Sequence, residues 1–202
     1  MSVQAVIVRI EQIQRGLQPA TPPAPAGGSS FASVLGTSGN VPGAAAAGAP
    51  TWTAAPARGA QAIVQAAEGE VGQAEQPPGS NDSPRIADYR SAVAGAGIGP
   101  WCAQFVSWCA KQAGAPLGEA GQGFQSVSAI ADWAQRTGRW QPAGATPRPG
   151  DLIVWGGEHV GLVESVDPDG SIHTIEGNSS NAVSKRTYGP GGGGATGFVA
   201  LG

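Results

Sequence analysis

At Pro149-Gly150 the spacing of apolar residues changes period, and that change constrains the fold more than any other feature of the chain. Before it, apolar positions recur at three and four residues, the spacing of helices that bury one face. After it, short runs rich in Val, Ile and Trp are separated by turn-forming residues, as in β-strands. The strand-like runs are 151–155, 159–166, 171–176, 183–188 and 197–201, divided by Gly156-Gly157, by Asp167-Pro168-Asp169-Gly170 and by glycine runs. Helices first and closely connected strands afterwards specify an α+β fold, with N-terminal helices packed on a small antiparallel sheet of about five strands.

Four helices are legible between residue 60 and the change. The first starts near residue 60 and places Ile63, Val64, Ala67 and Val71 on one face. Ser83-Pro84 reads as an N-cap followed by proline at the first helical position, opening a helix that carries Ile86, Tyr89 and Val93. In the third, Cys102, Phe105, Val106, Cys109, Ala110 and Ala113 follow the i, i+3, i+4, i+7 pattern until Gly114 stops it. The fourth presents Val127, Ile130, Trp133 and Ala134 and ends at Gly138.

The N-terminal part differs. Residues 1–17 read as a short amphipathic helix with Val3, Val6, Ile7, Ile10, Ile13 and Leu17 on one face. Residues 18–58 are runs of Ala, Pro, Gly, Ser and Thr that bury too little apolar area to offset their ordering entropy, so a flexible linker is expected there. Phe31-Ala32-Ser33-Val34-Leu35 is a hydrophobic island within it and Trp52 a second. The expected division is therefore 1–17, 18–58 and a compact domain over 59–202. The first residues lack the charged start and unbroken apolar run of a Sec signal peptide, and no stretch reaches membrane-spanning length.

Composition excludes several function classes. A formal charge of −3 with no basic cluster argues against nucleic acid held by general electrostatics. The two cysteines, seven positions apart on one helix, would lie about 10 Å apart, too far to bridge. Their spacing from the two histidines, His159 and His173, misses that of structural zinc sites, so no metal and no cofactor is expected.

Cys102 is different from Cys109. Cys109 fits a small buried hydrophobe, whereas Cys102 stands in the first turn of its helix after Pro100 and Trp101, where unpaired backbone N–H groups favour a thiolate. A cysteine nucleophile needs a base, and the base a polar group to fix its tautomer. His159 opens a strand after Gly156-Gly157-Glu158, at a sheet end that can face a helix N-terminus. On the next strand, Glu176 and Asn178 share parity and are expected on one face, with His173 on the other.

The stretches Trp101-Cys102-Ala103-Gln104-Phe105-Val106-Ser107-Trp108, Pro149-Gly150-Asp151-Leu152-Ile153, His159-Val160-Gly161-Leu162-Val163 and Ile175-Glu176-Gly177-Asn178 resemble, in order, the motifs of the CHAP family. These are cysteine- and histidine-dependent amidohydrolases and peptidases, a branch of the papain-like fold that includes the NlpC-type wall hydrolases. With Gly79-Ser80-Asn81-Asp82 and the closing Gly197-Phe198-Val199, the resemblance spans residues 59–202. It implies Cys102 as nucleophile, His159 as general base and later acid, and Glu176 and Asn178 as the groups that orient and polarise the imidazole. One departure stands out: many CHAP sequences have glutamine before the nucleophile, where this chain has Trp101. Trp101 and Asn81 are the residues expected to contact substrate, with an ordinary packing role the alternative for Trp101.

The resemblance further implies a peptidoglycan hydrolase that cuts an amide of the wall peptide through a cysteine thioester. The N-terminal part resembles that of flagellum-associated wall hydrolases, and the Phe31–Leu35 island resembles a short export signal of flagellar rod and hook proteins. Expected partners are thus peptidoglycan and, through residues 1–58, the flagellar rod or export apparatus, with no nucleic acid, no membrane span and a monomeric state. The enzyme would be made in the cytoplasm without a Sec signal and act at the wall. The alternatives are a phage endolysin, and a structural or assembly protein carrying an inactive domain, which the intact set Cys102, His159, Glu176 and Asn178 argues against.

Overall fold

The computed structural model describes residues 58–202, so the expected helix over 1–17 and most of the expected linker lie outside the described residues. Four helices precede or flank a six-stranded antiparallel sheet: α1 (Arg58–Glu68), α2 (Pro84–Ser91), α3 (Cys102–Gln112) and α4 (Val127–Arg136). The strands are β1 (Trp140–Pro142), β2 (Leu152–Trp155), β3 (His159–Val166), β4 (Ile172–Ser179), β5 (Ala182–Tyr188) and β6 (Gly197–Val199), in the spatial order β1-β6-β2-β3-β4-β5. The α+β class stands, with six strands instead of five. The additional strand, β1, is three residues long and contains Pro142 at the sheet edge, where a missing N–H costs no ladder bond. It pairs with β6 from Trp140↔Val199 to Pro142↔Gly197.

The helix ends follow their capping chemistry. Ser83 accepts from the Ile86 N–H at 3.2 Å with Pro84 in the first turn, and Ser126 accepts from the Ala129 N–H at 3.3 Å. α1 stops at Glu68, earlier than the spacing to Val71 implied. Val71 lies in the turn beyond it and is 42% exposed. The chain there turns to bring Glu70 under α2, where its buried carboxylate accepts from Arg85 and from the Tyr89 hydroxyl at 2.6 Å.

The main core lies between the helices and one face of the sheet. Ile63, Ile86, Tyr89, Phe105, Val106, Cys109 and Ile130 meet Leu152, Val154, Val160, Leu162 and Ile175 there, all essentially inaccessible. Each large aliphatic or aromatic side chain so buried contributes on the order of 1.5–3 kcal/mol. A smaller cluster of Ile153, Val163, Ile172, Ala195 and Phe198 covers the other face.

α3 runs through the centre of the main core, with eight of its residues buried from Cys102 to Ala110. Its approach to β4 depends on Gly177, where a Cβ would lie 2.5 Å from the Phe105 Cβ. That contact is closer than any side chain tolerates, so glycine is what lets the helix seat against the strand.

Candidate active site

The start of α3 is where the chain gathers its polar chemistry. In an α-helix the first N–H groups have no acceptor within the helix, and here the first regular bond is from Phe105 N–H to the Trp101 carbonyl, 2.8 Å. The N–H groups of Cys102 to Gln104 are therefore left over at the end that carries the thiol. Cys102 is 4% exposed and sits at the floor of a cleft of about 630 Å³. The cleft is lined also by Gly99, Pro100, Gln125, Ser126, Val127, Gly157 and Glu158.

His159 begins β3, paired with Trp155 at the end of β2. Its Nε2 donates to Oε2 of Glu176 at 2.9 Å, which leaves Nδ1 for the sulfur. Burial by itself lowers the imidazole's affinity for a proton, but its interactions with the Cys102 sulfur and the Glu176 carboxylate outweigh that and raise its pKa to about 9. The Trp155 indole stacks on the ring, centroids 5.5 Å apart at 30°, and is held by its own N–H to the Gly192 carbonyl at 2.9 Å.

Glu176 is 1% exposed, a carboxylate that no isolated strand end would bury. Burial opposes its charge, yet hydrogen bonds from His159, Thr174 and Tyr188 hold its pKa below the usual value. The Thr174 hydroxyl donates to Oε1 at 2.6 Å and the Tyr188 hydroxyl at 2.9 Å. The same contact, with burial foremost, pushes the Tyr188 phenol up to about 12. Space for this carboxylate comes from Gly161 on β3, where a Cβ would lie 2.8 Å from the Glu176 Cγ.

Asn178 does something other than the sequence implied. Period-two parity placed it beside Glu176, but the β4 register shifts between Glu176 and Ser179, and Asn178 has φ 58°. The bulge turns its amide away from the imidazole and onto the start of α3. There its oxygen faces the Trp101 backbone N–H at 3.1 Å and the Trp101 indole N–H at 2.9 Å, with the Asn81 amide 2.8 Å away. Asn178 thus holds Trp101, the residue just before the helix that carries Cys102, and among the described residues the carboxylate hydrogen-bonded to the imidazole is that of Glu176.

Trp101 and Asn81 also differ from expectation. Trp101 is fully buried, stacked on Tyr89 at 5.7 Å, and its indole N–H reaches Glu75 Oε1 at 3.0 Å as well as Asn178. It offers no surface to a substrate and no free donor to an oxyanion. Asn81 is half-buried and engaged with Asn178, so it belongs to the helix start and not to the cleft lining. Gln104 is likewise buried, its amide donating to the Gly97 carbonyl at 3.2 Å.

His173 lies apart. Its Nε2 pairs with Asp167 at 2.8 Å and its Nδ1 meets the Thr187 hydroxyl at 3.1 Å, in a surface cluster on β4 and β5. Cys109 is fully buried, and burial pushes its thiol far above the ordinary range. Asp151 in the Pro149-Gly150-Asp151 motif is structural: its carboxylate accepts from the Arg148 N–H at 2.8 Å and the Leu201 N–H at 3.1 Å, tying down the chain just past β6. Among the described residues, no group of three or more histidines, cysteines or carboxylates is placed to hold a metal ion, and no helix is long and apolar enough to cross a membrane.

Sequence reasoning missed Thr174, Tyr188 and Trp155. Thr174 shares the parity of Glu176 and was within reach of that argument, whereas Tyr188 and Trp155 require the strand register.

Comparison with known proteins agrees with the motif pattern. Residues 94–178 match the family model described as the CHAP domain, a stretch that contains Cys102, His159, Glu176 and Asn178. No curated protein matches the chain, and no solved structure does.

Proposed function

We propose that this chain, which carries a CHAP domain over residues 94–178, hydrolyses an amide bond of the peptidoglycan peptide through a thioester on Cys102. CHAP domains are in general peptidoglycan amidases or peptidases. The observation that carries the finer reading is His159, hydrogen-bonded through Nε2 to a buried carboxylate and kept protonated in part by its interaction with the Cys102 sulfur, which itself lies in the lining of an open cleft.

The steps follow from that arrangement. The Cys102 thiolate attacks the amide carbonyl carbon, and the carbonyl electrons move onto oxygen. The leftover backbone N–H of Cys102 faces that developing charge. His159, protonated at neutral pH, gives its Nδ1 proton to the departing amine as the C–N bond breaks, leaving a thioester and a neutral imidazole. Water then enters, His159 takes its proton, the hydroxide adds to the thioester, and collapse expels the thiolate and releases a carboxylic acid. Glu176 holds Nε2–H throughout and stabilises the imidazolium before acylation and after water attack.

In this proposal residues 59–202 are the working enzyme, acting as a monomer on peptidoglycan. Residues 1–58 deliver it, with the resemblance of Phe31–Leu35 to a flagellar export signal supporting a role in flagellar assembly. Dye release from labelled, purified sacculi tests the core claim. The full chain should release dye, and Cys102→Ala and His159→Ala should not. Prior alkylation of the chain with iodoacetamide should block release only where Cys102 is present and modified. Equal release by Cys102→Ala would sink the proposal.

A further inference from the structure

Apart from Cys102 itself, the cleft that exposes Cys102 has one charged residue in its lining. Gly99, Pro100, Gln125, Ser126, Val127 and Gly157 are uncharged, whereas Glu158 is exposed at the rim, immediately before His159. Its backbone is fixed by a hydrogen bond from its N–H to the Trp155 carbonyl, 3.3 Å, in the tight turn that joins β2 to β3. Its carboxylate forms no ion pair among the described residues, unlike Glu70, Glu119 and Glu164, which each face a cation. A carboxylate without an ion-pair partner on the wall of a concave, partly apolar site adds to the field there and favours a ligand of opposite sign.

We propose that Glu158 selects stem peptides whose diamino-acid side chain ends in a free ammonium. This rests on the wall-hydrolase function given above. In a wall peptide that side-chain amine is cationic until a cross-link converts it to a neutral amide. A carboxylate beside the reacting centre therefore distinguishes the two states of one substrate, and the enzyme cuts stems that have not been cross-linked in preference to those that have.

The test is the ratio of kcat/KM for two purified wall fragments, each a stem peptide still joined to its sugar so that both kinds of amide bond are present, identical except that one has the side-chain amine free and the other acetylated. The wild-type chain should favour the free amine by about three- to fivefold, the size expected for one solvent-exposed ion pair. Glu158→Gln should bring the ratio close to one, and Glu158→Lys should invert it. Raising the salt concentration should shrink the wild-type ratio. Because Glu158 neighbours His159, its replacement can also alter the imidazole, but that change acts on both peptides and cancels in the ratio. A wild-type ratio of one, or a Glu158→Gln ratio equal to wild type, overturns the inference while leaving the hydrolase function intact. Cleavage of neither fragment by the wild-type chain overturns that function and the inference with it.

Discussion

Two cysteines on one helix meet opposite environments, and the contrast is open to measurement. Cys102→Ala removes a group at the cleft floor and should abolish sacculus digestion with little change in melting temperature. Cys109→Ser places a hydroxyl where the structure offers complete burial, and should cost on the order of 1–3 kcal/mol in denaturant titration while activity persists in the folded fraction. The imidazole of His159 gives a pH signature. Its value near 9 lies above the ordinary histidine range, so the proton that the leaving amine needs is held at neutral pH and lost as pH rises through about 9; kcat/KM should fall there. The same sign applies to stability: the contribution of the bound proton is complete below about 6.5 and disappears through about 9. Glu176→Gln removes a charge that holds this proton, so the alkaline limb should move to lower pH, with a loss of about 10²–10⁴ in kcat. An unmoved limb in a folded Glu176→Gln variant would contradict the role assigned to Glu176.

At the scale of elements, the helix that carries Cys102 is located by two small features of β4. Gly177 lets α3 approach, and Gly177→Ala should force Phe105 and the strand apart at a cost of about 1–3 kcal/mol, visible as a lowered melting temperature. Asn178 binds the start of the helix, so Asn178→Ala should lower kcat by about 10- to 100-fold through misplacement of the thiol, with the alkaline limb still near pH 9. That pairing of a rate loss with an unmoved limb separates Asn178 from Glu176. The four helices and five of the strands were legible because long apolar periods survive tertiary packing. β1 was not, since three residues with a proline carry no period, and it exists only because β6 offers it an edge. The same limit explains Asn178. Parity follows regular backbone, and a bulge with positive φ at Asn178 defeats it. The inward packing of Trp101 was not legible for a related reason: the helical pattern says which residues follow the cap, but not where the cap's own side chain turns, and here it turns to Glu75.

For the whole molecule, a chain starting at Arg58 should digest purified sacculi as well as the full chain, because the cleft, the cysteine and the imidazole lie within residues 58–202. In cells the same truncated chain should fail to reach the wall. Phe31→Ala with Leu35→Ala in the full chain should reproduce that failure if the island is an export signal. Loss of activity on isolated walls by a folded truncated chain would instead make residues 1–57 part of the working enzyme. Mass spectrometry of the fragments released from purified sacculi is the most direct test of all. The full chain should release soluble peptides bearing new amino termini at one kind of amide bond, an L-alanine terminus marking an amidase and a D-amino-acid terminus an endopeptidase, and Cys102→Ala should release none. Intact sacculi after incubation with the folded wild-type chain, or the same new termini from Cys102→Ala, would contradict a cysteine-dependent wall amide hydrolase.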